Sequence, residues 1–276
     1  MERKGVRSIL ISIKAFIVGS TMIIPGVSGG TMAMILGEYD SLIGSVPGLL
    51  NKRKFKESFI YLAIFCTFAL LGIFLASKPL GLLLDKHYEI VMYFFIGAVF
   101  GTVPMIVKKA GEAKAKPYLQ SIIYVLLGAG AVILISKIPQ GAIKPSSSLS
   151  ISGVLFQLLA GALISIGLIL PGISTSYLLV VLGLYDLILD AIATFDLLPL
   201  IPLALGLVLG TFLLTGFLKW AMEKHPYVTY MMILGFLFAS IVEVFPGIPS
   251  GLDLLISIFS FLLGVYVIYQ ISKKEI

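Results

Sequence analysis

Long apolar segments alternate with short charged ones along the whole chain. An α-helix rises about 1.5 Å per residue, so about 20 apolar residues cross the roughly 30 Å core of a bilayer. The pattern therefore predicts an all-α integral membrane protein for which the bilayer is the solvent. The apolar segments cover residues 8–24, 31–46, 58–77, 90–107, 119–137, 151–170, 176–193, 198–218, 228–245 and 252–271.

Composition agrees with this pattern and narrows the classes of function. Apolar residues make up 59% of the chain and charged residues 12%, whereas a soluble domain is nearer half apolar and a quarter charged. The single cysteine, Cys66, cannot form an internal disulfide, and with two histidines it cannot supply an ordinary zinc site. We therefore expect neither a metal nor a cofactor.

The net charge of +6 lies mainly in short loops. Basic residues concentrate near the start of the chain, in 51–57 (NKRKFKE), 108–117 (KKAGEAKAKP) and 219–226, and near the end. Clustering of basic residues in particular short loops is typical of the cytoplasmic loops of a membrane protein, by the positive-inside rule, and less typical of a nucleic-acid-binding surface. We expect a multi-pass protein of the cytoplasmic membrane, with both termini in the cytoplasm and no nucleic-acid partner.

Two junctions between apolar segments carry no charge. Residues 25–30 (PGVSGG) join the first segment to the second, and residues 171–176 (PGISTS) join the sixth to the seventh. An aqueous loop usually carries charge, and irregular backbone at membrane depth is tolerated where protein or a water-filled cavity surrounds it. We predict a re-entrant helical hairpin at each junction, whose depth in the bilayer stays open.

The chain also contains an internal repeat. A shift of 146 positions lays residues 24–40 (IPGVSGGTMAMILGEYD) on 170–186 (LPGISTSYLLVVLGLYD), and a shift of 138 pairs His87 with His225. Each half, 1–145 and 146–276, then holds five segments: a re-entrant hairpin and three transmembrane helices. Since five is odd, the second half must enter the membrane from the opposite face, as in transporters built from inverted repeats.

The two breaks have the composition of an anion site. Proline interrupts a helix and glycine permits unusual backbone conformations, which leaves backbone N–H groups at a helix start available to a phosphate. Small residues also serve close helix packing in membranes, which is the alternative interpretation. The expected phosphate-binding residues are Pro25, Gly26, Ser28, Gly29, Gly30 and Thr31 in the first break, and Gly172, Ser174, Thr175, Ser176 and Tyr177 in the second.

Charged residues near the breaks are further candidates. Lys14 lies within a predicted span, where it can either neutralise a phosphate or extend its amine to the membrane surface. The carboxylates of Glu38, Asp40 and Asp186 are candidates for coupling to a proton or sodium ion. The repeated Tyr-Asp pairs at 39–40 and 185–186 can alternatively act as interfacial anchors.

The doubled motif resembles the paired signatures of the DUF368 family. It consists of 25–31 (PGVSGGT) with Gly37 and Tyr39, and 171–174 (PGIS) with Gly183 and Tyr185. The resemblance runs over nearly the whole chain. It implies translocation of undecaprenyl phosphate, a polyprenyl-phosphate carrier lipid, from the outer to the cytoplasmic leaflet. Family members often have Asp where this chain has Met22, and Gly-Ser where it has 175–176.

Other functions remain open at this point. A transporter of a small soluble anion, coupled to an ion, would use the same broken helices. An integral-membrane lipid phosphatase needs a nucleophilic histidine with an arginine cluster, and the two histidines fall in predicted loops on opposite faces. We therefore expect a transporter and not an enzyme, with polyprenyl phosphate and membrane lipids as partners.

Overall fold

The structure is a computed structural model that describes residues 2–22, 24, 26–111, 118–139 and 150–275. These ranges form eleven α-helices and one short 3-10 turn, and contain no strand. The predicted all-α class is confirmed. The helices are α1 Glu2–Thr21, α2 Gly29–Ile35, α3 Tyr39–Gly48, α4 Phe55–Gly111, α5 Tyr118–Ser136, α6 Ile151–Ile169, α7 Thr175–Val181, α8 Tyr185–Ala193, α9 Ile201–Lys224, α10 Pro226–Val244 and α11 Leu252–Glu275, with the turn at Leu198–Leu200.

Six helical stretches in the described ranges are long and apolar enough to cross a membrane. They correspond to α4, α5, α6, α9 with the preceding turn, α10 and α11. Large apolar side chains on these helices face outward; Phe74 and Leu213 are each 75% exposed. A soluble protein does not expose so much apolar surface, so the structure agrees with a bilayer environment.

Two predicted loops are largely helical. Residues 78–86 continue α4, which bends at His87 (φ −140°, ψ 41°) instead of ending. Residues 219–224 continue α9, and His225 (φ −131°, ψ 52°) separates it from α10. The predicted helix ends at 77 and 218 were wrong, because Lys, Glu and Leu are good helix formers and charged side chains do not stop a helix. The two histidines adopt nearly the same backbone conformation.

The predicted segments 31–46 and 176–193 are each two short helices. In α2 the amides of Gly37 and Glu38 bond back to the carbonyls of Met34 and Ala33, at 3.1 and 2.8 Å. This Schellman motif needs a left-handed residue after the helix, and Gly37 has φ +76°. Gly183, at φ +65°, ends α7 in the same way. The Gly-x-Tyr-Asp motif is therefore a helix stop followed directly by a helix start.

Glycines bring helix backbones together at matching places in the two halves. A methyl group on Gly72 of α4 would lie 2.2 Å from the Phe16 carbonyl oxygen of α1. One on Gly210 of α9 would lie 2.6 Å from Cα of Ala162 in α6. Small residues permit such backbone contacts within a membrane. Each half therefore packs the helix before its break against the helix that follows the two short ones.

The later helices of each half pack against the other half. A methyl group on Gly97, in the second arm of α4, would lie 2.0 Å from the Phe261 carbonyl oxygen of α11. One on Gly128 of α5 would lie 2.3 Å from the Met232 carbonyl oxygen of α10. The halves interlock, and α10 is the most buried of the six spanning stretches.

We predict that Gly206→Ala destabilises the protein and that Gly216→Ala does not. Both glycines lie in α9, but a methyl on Gly206 would lie 2.1 Å from the Leu158 carbonyl oxygen, whereas none of the described atoms lies within 4 Å of one on Gly216. Overpacking costs about 1–3 kcal/mol, while alanine stabilises an open helical site by about 1 kcal/mol. Thermal unfolding of the purified variants in detergent measures both. Equal melting temperatures would contradict the packing role.

Candidate functional site

The two breaks share one local design. Gly26 and Gly172 take φ of +78° and +83°, a left-handed conformation that suits glycine. Two residues later a serine caps the next helix: Ser28 accepts from the Thr31 amide at 3.1 Å, and Ser174 accepts from the Tyr177 amide at 3.3 Å. The first amides of a helix have no carbonyl partner within it, and the serine hydroxyls accept their hydrogen bonds instead.

The breaks contact one another directly. The Gly172 amide donates to Thr31 Oγ1 at 3.0 Å, and Thr31 Oγ1 lies 2.8 Å from Ser28 Oγ. Gly30 sits so close to the second break that a methyl group there would lie 2.9 Å from the Ile169 carbonyl oxygen. Ser28 and Thr31 are buried, at 7% and 4% exposure. The Thr31 hydroxyl therefore bridges two segments that lie far apart in sequence.

Helix α10 closes this junction. A methyl group on Gly172 would lie 2.2 Å from the Phe236 carbonyl oxygen, and one on Gly26 would lie 2.7 Å from Val244. The space beside Thr31, also lined by Ser240, is about 10 Å³. A single water needs about 10–15 Å³ on this measure, so a phosphate does not fit in this conformation.

The remaining predicted residues of the second break lie at its edge. The Tyr177 hydroxyl donates to the carbonyls of Ser136 and Ile138, at the end of α5. Thr175 packs its backbone against Gly167, where a methyl group would lie 3.1 Å from Thr175 Cα. Pro25 and the side chain of Ser176 lie outside the described residues.

Lys14 forms a largely buried ion pair at the other end of α2. Its Nζ lies 3.0 Å from Glu38 Oε1, and the Lys14 and Glu38 side chains are 16% and 9% exposed. The Tyr61 hydroxyl donates to Glu38 Oε2 at 2.9 Å. Both carboxylate oxygens of Glu38 thus have partners, as a buried charge requires. Glu38 follows the last turn of α2, whereas Ser28 precedes its first, so Lys14 is not beside the junction of the breaks.

Asp40 is held by two donors on other helices. Lys109 Nζ of α4 lies 2.7 Å from Asp40 Oδ2, and the Tyr230 hydroxyl of α10 donates to the same oxygen at 3.0 Å. The matching carboxylate in the second half, Asp186, is exposed on α8. Among the described residues, no group of three or more His, Cys, Asp or Glu side chains is placed to hold a metal ion.

Comparison with known proteins identifies the family. The model of the family described as VCA0040-like, undecaprenyl phosphate translocase-like, matches residues 18–251. The chain belongs to this family. The DUF368-type resemblance of the doubled motif is thereby confirmed. Together with its apolar helices, family membership makes the chain a multi-pass membrane protein.

Two curated relatives extend over most of the chain. A protein of Staphylococcus aureus named polyprenyl-phosphate transporter is 31% identical over 270 residues, which is 95% of each chain. A protein of Vibrio cholerae with the same name is 27% identical over 258 residues, or 89% of this chain and 80% of that one. No solved structure matches the chain significantly.

The sequence analysis did not single out four of the residues described above: Tyr61, Lys109, Tyr230 and Ser240. Lys109 was assigned to a loop, and the tyrosines lie in apolar segments where aromatic residues are common. Ser240 had a usable signal, since a shift of 138 pairs it with Thr102. Both hydroxyls donate to the carbonyl three residues earlier, at 2.7 and 2.6 Å.

We predict that Lys14→Ala and Glu38→Leu are each more destabilising alone than together. Removing one partner of a buried ion pair costs about 3–5 kcal/mol, because the other charge remains buried, whereas replacing both can be nearly neutral. In the second half, the positions that match Lys14 and Glu38 are occupied by the buried apolar residues Ala160 and Leu184. A double-mutant cycle on unfolding free energies in detergent measures the coupling. Additive losses would contradict it.

Proposed function

We propose that the protein translocates a polyprenyl phosphate, in particular undecaprenyl phosphate, across the cytoplasmic membrane. Movement from the outer to the inner leaflet would return a carrier lipid for reuse. Two relatives named polyprenyl-phosphate transporters, matched over 95% and 80% of their length, support this proposal, as does the family description. The prenyl tail would stay in lipid, and the protein would provide a path for the phosphate.

The proposed architecture is a pair of inverted repeats, 1–145 and 146–276, each with a re-entrant hairpin and three transmembrane helices. Matching break geometry at Gly26 and Gly172, matching helix stops at Gly37 and Gly183 and matching bends at the two histidines support it. The basic loops then place both termini in the cytoplasm. In transporters of this plan the substrate site lies near the midplane, where broken helices meet.

The observation that carries the proposed site is the hydrogen bond between the two breaks. The Gly172 amide bonds to a Thr31 hydroxyl, next to Ser28, in a buried position. All three are groups that bind phosphate oxygens, and here they satisfy each other. A phosphate that entered would replace the Thr31 hydroxyl as the acceptor for this amide and would accept hydrogen bonds from the Thr31 and Ser28 hydroxyls.

The remaining break residues complete the proposed site. Helix α2 has only seven residues, so we assign binding to amides and hydroxyls and not to a large helix dipole. Since the space beside Thr31 is about 10 Å³, binding requires α10 and the breaks to separate. That opening would expose the phosphate path to one side of the membrane at a time.

Reconstitution into liposomes tests the function. We expect the protein to accelerate the exchange of fluorescent undecaprenyl phosphate between leaflets, read out by quenching from outside, compared with protein-free vesicles. A proton gradient or a sodium gradient, imposed separately, tests coupling. Absence of acceleration under all conditions would contradict the proposal. Uptake of inorganic phosphate without lipid exchange would instead establish the small-anion transporter.

Substitutions at Thr31 test the site. Thr31→Val keeps the shape but removes the hydroxyl that bonds the Gly172 amide, so we expect transport to fall by about tenfold or more, the value of one hydrogen bond to a charged group. Thr31→Ser should retain most activity. Thr215→Val is the matched control, because Thr215 is also buried but donates to a carbonyl of its own helix. Normal transport by Thr31→Val would contradict the proposed site and show that the motif serves helix packing.

A further inference from the structure

We propose that Lys109, Lys219 and Tyr230 form a second phosphate site, in which Asp40 is a built-in counter-ion that releases these donors on protonation. The inference rests on the proposed function and adds a binding site and a coupling group to it. The ligand is a phosphate monoester group, either of the lipid or of a free anion.

The cavity at this place is large enough for a phosphate. Its volume is about 330 Å³, compared with about 10 Å³ at the junction of the breaks. It lies where α3, α9 and α10 meet. The residues that line it are Asp40, Ile43, Gly44, Lys219, Met222, Glu223 and Tyr230.

Two donors converge on one carboxylate oxygen. The Lys109 amine at 2.7 Å and the Tyr230 hydroxyl at 3.0 Å both reach Asp40 Oδ2, and the amine also lies 5.9 Å from the centre of the Tyr230 ring. An amine and a hydroxyl that converge on one anionic oxygen could equally bind an oxygen of a phosphate. In the described part of the chain Asp40 Oδ1 is buried and has no hydrogen-bond partner. One oxygen of Asp40 therefore holds both donors, while the other is buried and has no donor among the described residues that a proton would have to displace.

Charge explains why a proton and a phosphate should bind together. Lys219, Asp40 and Glu223 line the cavity, and Lys109 reaches it through its ion pair with Asp40. With Asp40 ionised, two cations stand against two carboxylates, which a phosphate would face. A proton on Asp40 leaves two cations against one anion and frees Lys109 and Tyr230 to bind the phosphate.

The neighbouring titratable groups do not change this account. Tyr39 precedes Asp40 and its buried hydroxyl has no hydrogen-bond partner among the described residues, while Glu38 is already held by Lys14 and Tyr61.

By thermodynamic linkage, the proton and the phosphate each raise the affinity for the other by the same factor. The proton moves onto a carboxylate and back without any covalent change to the lipid.

This arrangement is not found at the place that the repeat relates to it. By the shift of 138, Gly247 of the second half matches Lys109, and Met92 of the first half matches Tyr230. Asp186, which matches Asp40, is exposed. Because only one end of the proposed phosphate path would carry this site, the last binding step would differ between the two directions of transport.

Calorimetric titration of the detergent-purified full chain tests the proposal, with geranyl phosphate and inorganic phosphate as probes at pH 4 and pH 8. Asp40→Asn mimics the protonated state, so at pH 8 it should bind geranyl phosphate about tenfold more tightly than the wild type, within the usual range of coupling. Its affinity should also vary less with pH than that of the wild type. Asp186→Asn is the matched control and should behave as the wild type.

Two further variants keep the test decisive if Asp40→Asn does not fold. Lys109→Gln and Tyr230→Phe each remove one donor and should weaken binding by about tenfold and several-fold respectively. Unchanged binding in both, or weaker binding by folded Asp40→Asn, would overturn the proposal. Comparable affinity for inorganic phosphate would support the site and assign it to the free anion; a preference for geranyl phosphate would assign it to the lipid headgroup.

The binding assay is independent of the liposome assay. A wild-type protein that exchanges lipid while its Asp40 and Lys109 variants bind normally would overturn this inference alone. A protein that binds as expected but does not exchange lipid would overturn the proposed function and leave the second site standing.

Discussion

A backbone amide that lacks a helical partner must find another acceptor where water is excluded, and this constraint organises the centre of the molecule. The chain interrupts its helices at two buried places and so creates several such amides. Hydroxyls accept them: Ser28 and Ser174 within each break, and Thr31 across the two breaks. The segment after Pro25 is thereby tied to the segment after Pro171, and the two halves meet at hydrogen bonds between an amide and hydroxyls.

Close backbone packing holds these breaks in place. Without a large hydrophobic force between helices in lipid, association depends on van der Waals contact, and glycine permits the closest approach. Gly172 lies against the backbone of α10, and Gly97 and Gly128 lock the later helices of each half onto the other. A movement that opens the space beside Thr31 must therefore shift α10, which is in contact with both breaks and with helices of the first half.

The sequence predicted the helical membrane fold and the two breaks, because proline, glycine and charge-free junctions have strong local effects on the backbone; it did not predict that Ser28 and Ser174 cap the helices that follow. It did not predict the stops at Gly37 and Gly183, although the repeated glycine was visible. It missed the partners of Asp40 because Lys109 and Tyr230 lie 69 and 190 positions away in the chain, and contacts between distant segments leave no trace in local periodicity.

The two halves share a backbone plan but not a distribution of charge, and this difference constrains how the protein can work. Charged pairs surround the short helices of the first half, at Lys14 with Glu38 and at Asp40 with Lys109. The second half has Ala160 and Leu184 in place of the first pair, and its Asp186 is exposed. The two breaks therefore share their backbone hydrogen bonds but lie among different charges. An anion bound beside one break would meet a different electrostatic environment from an anion bound beside the other.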